Sequence, residues 1–304
     1  MKAALLSIDL EDWQQLVHRR LRIDGWDQVR PAIERQVNAV LDILDDIGAK
    51  ATFFLLGMTV KNHPQLVEAV VARGHEPACH GYAHTPVPRQ SPDEFRRDLE
   101  AAIAVIEDTC GRRPVTYRAP AFSINRRTPW AYDVLVEAGF RYDSSQYDSP
   151  RISDRFGGIP LHPYRLQLGS GRELWELPVA VWRLRRWTLP IGGGSYWRIL
   201  PRQVLLRALR DLTDRNAYPV LYLHPYECDP EALDADIPAT ATPQQRAHAA
   251  ALRAWRNSGR ARAVTRLREI AQRVPLLSYA EAYADIERDH GTRTRALSQA
   301  GFLV

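Results

Sequence analysis

Two histidines, His80 and His84, stand four residues apart in EPACHGYAHTPV (76–87). Neutral imidazole binds zinc and other divalent ions, and histidines at i and i+4 on a helical turn project the same way and can hold one ion. Alone, that spacing also fits a pair of exposed or capping histidines. Here Gly81 permits close backbone approach, and the motif leaves the end of a short apolar run. A third ligand is available in SIDLEDW (7–13), which offers Asp9, Glu11 and Asp12 after an apolar strand, where carboxylates are costly unless partnered. Two histidines and one carboxylate leave open positions on a metal, an arrangement suited to activating water. Strand alternation places Glu11 on the side of Asp9, whereas a turn would present Asp12 instead. Asp12 is the favoured third ligand, with Glu11 the alternative.

The elements that must carry these groups alternate along the chain. Residues 3–10 and 51–57 read as buried strands, and EPACH leads out of another. Helical spacing runs over 31–48, with Pro31 at its start and Gly48 at its end, and over 63–75. Residues 91–111 form a further helix with Ser91 as a cap, and 201–216 another. Strands alternating with helices predict an α/β fold with a parallel sheet or barrel, in which active groups gather at the C-terminal ends of the strands. The notable polar residues fall there repeatedly: Asp9, His80, Arg118 in VTYRAP, Asp143 in RYDSS and His224 in VLYLHPYE.

Taken together, SIDLED, HGYAH, YRAPAF, YDSS and LYLHPYE occur in the order found in the polysaccharide deacetylase family, carbohydrate esterase family 4 with its NodB-homology domain. Over about residues 3–285 the chain resembles most the branch associated with bacterial exopolysaccharide clusters, in which a Gly-rich aromatic segment recurs, here GGGSYWRILP (192–201). The resemblance implies a distorted (β/α) barrel with a C-terminal extension. It implies a divalent metal, zinc first and cobalt, nickel or iron as alternatives, held by His80, His84 and one acid of the first motif. By the same resemblance Asp9 is the general base and Arg118 its partner, His224 is the acid for the leaving amine and Asp143 orients His224. A backbone N–H near Ala121 would help to stabilise the oxyanion. The substrate would be an N-acetylated carbohydrate. Where the family usually has an aromatic residue directly after R-x-P, this chain has Ala121, so the aromatic wall is expected from Phe122 or elsewhere. Tyr196 and Trp197 are further candidates to stack on sugar rings, although such side chains serve equally well in a core.

Composition bounds the rest. The 304 residues are 45% hydrophobic and 25% charged, enough for one large domain, expected at 1–285 with an irregular Trp-, Arg- and Gly-rich insertion at about 150–200 and a tail at 286–304. Net charge is +5, with only three lysines among 41 basic residues, and no compact basic run suggests a nucleic-acid partner. Three cysteines without regular spacing give no disulfide framework. No apolar run approaches the roughly 20 residues of a transmembrane helix, and the apolar start is too short for a secretory signal. A cytoplasmic setting, including the inner membrane face, is therefore expected. Two other readings compete: an allantoinase-like hydrolase of another C–N bond, which tends to lose the metal motif, and a non-catalytic carbohydrate-binding protein, which would be free to lose Asp9 or His224.

Overall fold

The computed structural model describes residues 3–24, 32–150, 152, 154–184, 187–298 and 303; Pro31, expected to open a helix, lies outside them. Twelve strands are defined among these residues: β1 Ala4–Leu10, β2 Thr52–Leu55, β3 Glu76–Cys79, β4 Thr116–Tyr117, β5 Tyr142–Asp143, β6 Tyr164–Gln167, β7 Glu173–Glu176, β8 Val181–Leu184, β9 Trp187–Pro190, β10 Val220–Leu223, β11 Leu276–Leu277 and β12 Thr294–Ala296. The main sheet has the order β10-β1-β2-β3-β4-β5-β7-β6-β12, parallel from β10 to β7, with β11 also paired to β1. An isolated parallel bridge between Val179, just past β7, and Val220 of β10 links the two ends of the parallel run. β8 and β9 form a separate antiparallel hairpin.

Period-two alternation in β1 divides the molecule into an outer and an inner face. Leu6, Ile8 and Leu10 pack outward against the helices, in the larger core with Val37, Leu41, Val67 and Leu99. Leu5 belongs instead to an inner cluster with Phe54, Tyr142, Val220 and Tyr279. Ser7 and Asp9 share the parity of Leu5, so the inner face turns polar toward the C-terminal end of the strand. The helices Ala32–Asp46, Pro64–Ala72, Pro92–Cys110 and Arg202–Asp214 fall where the spacing predicts them. Ser91 closes a capping box with Glu94, which satisfies two backbone donors at that helix start.

Two segments depart from the sequence expectation. Residues 13–21 form a helix, Trp13–Leu21, directly after the acidic motif. The segment expected as a tail continues the helix Tyr279–His290 and then adds β12 alongside β6. Among the described residues no helix is long and apolar enough to cross a membrane.

The three glycines Gly192–Gly194 lie against β10. A Cβ at Gly192 would come within 2.5 Å of Val179 Cγ1 and 2.9 Å of the Val220 carbonyl, and one at Gly193 within 2.8 Å of the Tyr222 ring. The backbone contact is real: Tyr222 N donates to Gly192 O at 2.8 Å. Because the Val220 carbonyl cannot yield without moving the sheet, Gly192→Ala is expected to cost about 1–3 kcal/mol, seen as a lower denaturation midpoint with unchanged slope. An unchanged midpoint would contradict this packing.

Candidate active site

Beyond β1 the chain turns, with Glu11 N donating to Asp9 O at 2.8 Å, and Glu11 becomes buried beside both histidines. Its Oε1 lies 2.9 Å from His84 Nε2 and 3.4 Å from His80 Nε2. Ligand atoms of Glu11, His80 and His84 fall within 4.8 Å of one another, as do those of Asp9, Glu11 and His224. His80 Nδ1 is 2.8 Å from the Arg118 carbonyl and donates to it, which fixes the tautomer that leaves a lone pair on Nε2. The donor set of two imidazoles and one carboxylate fits a divalent transition metal, and the buried Nε2 atoms converge on one carboxylate oxygen as ligands of a common ion would. Burial alone would raise the pKa of Glu11, but His84, His80 and His224 hold it well below the usual carboxylate range.

The histidine pair meets by a different route from the helical turn its spacing suggests. His80 directly follows β3, and residues 81–84 form an irregular loop with Gly81 at φ +78° and His84 at φ +54°. Asp98, from the helix Pro92–Cys110, holds this loop by accepting from Tyr82 N at 2.8 Å and Ala83 N at 3.3 Å. A Cβ at Gly81 would come within 2.8 Å of that carboxylate. Asp98 has no sequence signal of its own and emerges only from the fold.

Arg118 and Asp9 form a fully buried ion pair at 2.6 Å, with side-chain exposures of 0% and 3%. The guanidinium also donates to Ser7 Oγ, Ser144 O, Ser144 Oγ and Tyr279 OH, and lies 4.1 Å from the centre of the Phe54 ring. His224, immediately after β10, has Nε2 3.8 Å from Glu11 Oε1 and Nδ1 3.1 Å from Glu227 Oε2. Glu227 also accepts from His224 N and from Ser195 Oγ, and Ser195 accepts from Arg256. Burial would lower the pKa of His224, but the Glu227 hydrogen bond and the charges of Glu11, Glu227 and Asp9 outweigh it and raise it above the ordinary histidine value.

The structure places several of the expected site residues apart from the histidine cluster and the cavity. Asp12 lies outside both clusters: as N-cap of Trp13–Leu21 its Oδ1 accepts from Gln15 N at 3.0 Å, so the helix start claims it and Glu11 takes the place beside the histidines. Asp143 accepts from Ser145 N and Oγ and pairs across the sheet with Glu176, while the carboxylate that meets the His224 ring is that of Glu227. Burial raises both carboxyls of that inner pair, and the Asp143 charge adds to the rise at Glu176. Trp197 is a core residue with no exposure, its Nε1 donating to Ile191 O, and is closed to a sugar. Tyr196 is half-buried against the inner cluster rather than in the cavity wall.

Over Glu11, His84 and His224 lies a cavity of about 480 Å³, also lined by Ala121, Tyr222, Tyr226 and five arginines. Ala121 reaches it in the left-handed region at φ +55°. Phe122 stands behind Tyr222, ring centres 5.1 Å apart, and Tyr226 stacks on His224 at 4.8 Å. Tyr222 and Tyr226, flanking His224 in LYLHPYE, supply the aromatic surface; their place at a strand end was the available signal.

Residues 24–142 match the family model described as polysaccharide deacetylase, and residues 145–284 match a domain of unknown function, DUF3473. A peptidoglycan deacetylase-like protein FGM2 of Gibberella zeae is 35% identical over 111 residues, 36% of this chain and 32% of the relative. A chitooligosaccharide deacetylase of a Bradyrhizobium species is 37% identical over 98 residues, 32% of this chain and 42% of the relative. The match thus spans less than half of either relative. A solved structure of a candidate polysaccharide deacetylase from Mycobacterium smegmatis superposes with a TM-score of 0.59 at 23% identity, covering 95% of this chain and 92% of that one, a likeness of fold.

Replacing Arg118 by Met strands the buried Asp9 carboxylate and is expected to cost about 3–5 kcal/mol in urea unfolding. Pairing it with Asp9→Leu should recover most of that loss, because the uncompensated charge is gone. A double variant no more stable than Arg118→Met would contradict the account of the pair.

Proposed function

We propose that the chain, whose residues 24–142 match the polysaccharide deacetylase model, is a metal-dependent hydrolase that removes the N-acetyl group from an amino sugar in a glycan, glycolipid intermediate or small glycoside. The observation that carries the reading is the convergence of His80, His84 and His224 on one buried carboxylate oxygen of Glu11, beside the Asp9–Arg118 pair.

Glu11, His80 and His84 would hold the ion, with zinc the first choice for a mixed imidazole and carboxylate set. When bound, the metal supplies Lewis-acid polarisation and lowers the pKa of water. Asp9 accepts the proton of the attacking water, and Arg118 fixes its carboxylate against rotation. The water oxygen bonds to the acetyl carbon, and the C–N bond then breaks. His224, kept protonated by Glu227, gives its proton to the departing nitrogen, which leaves as the free amine alongside acetate. The left-handed turn at Ala121 brings backbone to the same cavity, where an N–H would meet developing negative charge. Burial of the Asp9–Arg118 pair on the inner face keeps bulk water from competing with these contacts.

Purified protein should contain about one metal per chain and release acetate from at least one member of a panel of N-acetylated glycans and glycosides. His80→Ala and Glu11→Gln should lose both, whereas Asp12→Asn, which preserves the helix cap, should keep both. Metal retained in Glu11→Gln but lost in Asp12→Asn would overturn the assignment of the third ligand, and metal without acetate release across the panel would overturn the deacetylase reading.

The pH profile tests the acid. A His224 pKa raised in the folded protein keeps the proton-donating form present to higher pH, so activity falls on the alkaline side as His224 deprotonates. Glu227→Gln removes the charge that holds the proton, and the alkaline limb should move to lower pH. A limb that stays in place would show that Glu227 does not set the acid.

A further inference from the structure

The cavity above the candidate metal ligands is lined by Arg19, Arg20, Arg22, Arg89 and Arg256, with Glu11 as its one carboxylate. An adjoining cavity of about 300 Å³ shares Arg19, Arg22, Arg89, His84 and Pro86 with the first and adds Asp24. The shared residues mark a passage from His84 outward that is bordered mainly by guanidinium groups.

Arginines elsewhere in this chain mostly face acids: Arg73 pairs with Asp42 and Asp45, Arg96 with Glu137, and Arg155 and Arg183 with Asp148. In the cavity, Arg19 lies 3.5 Å from Glu11 Oε2, and Arg256 donates to Ser195 Oγ. Among the described residues, Arg20, Arg22 and Arg89 have no acid within ion-pair distance. A helix C-terminus favours basic side chains in its last turn, which accounts for Arg19 and Arg20 at the end of Trp13–Leu21. The same preference accounts for Arg256, in the last turn of Pro243–Asn257, but not for Arg22, beyond the end of Trp13–Leu21, or for Arg89, from the single turn Val87–Arg89, lining the same cavity. Like charges gathered in one cavity repel one another, and burial together with the charges of Arg256 and Arg19 lowers the pKa of Arg20.

We propose that the N-acetylated sugar entering this cleft carries a phosphate or pyrophosphate ester, received by Arg22 and Arg89 with help from Arg19 and Arg20. The inference rests on the deacetylase reading for the sugar and on the arginines for the anion. Guanidinium pairs with phosphate oxygens through parallel charge-assisted hydrogen bonds, and several guanidinium groups match the multiple oxygens of a phosphate or diphosphate better than a single carboxylate. The candidate sources sharing this chemistry are a sugar 1-phosphate, a nucleoside diphosphate sugar and a lipid diphosphate sugar.

The test is equilibrium binding to the metal-loaded wild-type protein, measured apart from turnover. The probes are the methyl glycoside of N-acetylglucosamine, its 1-phosphate, its uridine diphosphate and short prenyl diphosphate conjugates, and a neutral and a uronate-containing N-acetylated oligosaccharide. At least one phosphorylated probe should bind about tenfold or more tightly than the methyl glycoside, the effect of one charge-assisted hydrogen bond, and rising salt should weaken that preference. In Arg22→Gln/Arg89→Gln the ratio of the two affinities should fall toward one, with partial recovery in Arg22→Lys/Arg89→Lys. Equal affinities in the wild type would overturn the proposal without reference to any variant's folding, and tighter binding of the uronate probe would overturn the phosphate assignment. Which phosphorylated probe binds best identifies the source. A phosphate preference without acetate release from any probe would leave the anion subsite standing while removing the deacetylase reading, so the two failures are distinguishable.

Discussion

A guanidinium without solvent contact must be fully partnered, and Arg118 meets that demand by joining parts of the chain that are far apart in sequence. It binds Ser7 and Asp9 of β1, Ser144 just beyond β5 and Tyr279 at the start of the last long helix. Removing a charge from water costs several kcal/mol unless geometry and hydrogen bonds repay it. The inner face of the sheet is arranged around that requirement. Small and hydroxylated residues at Ser7, Ser144 and Ser145 leave room for the side chain, while Phe54 offers its ring face to the cation. Once Arg118 is placed, its carbonyl accepts from His80 and its guanidinium holds Asp9, so one residue orients members of both carboxylate–histidine clusters.

The second half of the chain completes the site from the opposite side. Gly192–Gly194 allow the backbone to run against β10, and the next residue, Ser195, reaches Glu227. Glu227 in turn receives both the backbone and the ring of His224. Arg256 closes this relay through Ser195, so a helix from residues 243–257 bears on the proton carried by a histidine after β10. The two matched family regions therefore contribute to one cavity: His84 and Ala121 from the first, and Tyr222, His224 and Arg256 from the second.

The strand-and-helix alternation was legible because buried parallel strands and amphipathic helices leave strong periodic signals, and the strand ends then gathered Asp9, His80, Arg118 and His224. Where positions differ from expectation, the reasons are local. Asp12 reads as a ligand until the helix after it is recognised; Asp12 with Gln15 three residues on was a capping signal hidden behind a more conspicuous acidic cluster. Asp143 ends one buried strand and Glu227 lies beyond another, and only the three-dimensional path shows which one meets His224. Trp197 and Tyr196 share the aromatic character of a sugar platform, but burial decides the first and position in the inner cluster the second. The four-residue histidine spacing suggested a helical turn, whereas left-handed backbone at Gly81 and His84 gives the convergence by another path. Asp98 was invisible because a carboxylate on an exposed-looking helix carries no sign that it will bind a loop.

The most direct measurement of the central claim is anomalous diffraction at the absorption edge of the bound metal in crystals of the protein reconstituted with zinc or cobalt. The account predicts a single strong peak between the Glu11 carboxylate and the Nε2 atoms of His80 and His84, with Asp12 still capping its helix. A peak ligated by Asp12, or a fully loaded ion away from this histidine pair, would contradict it.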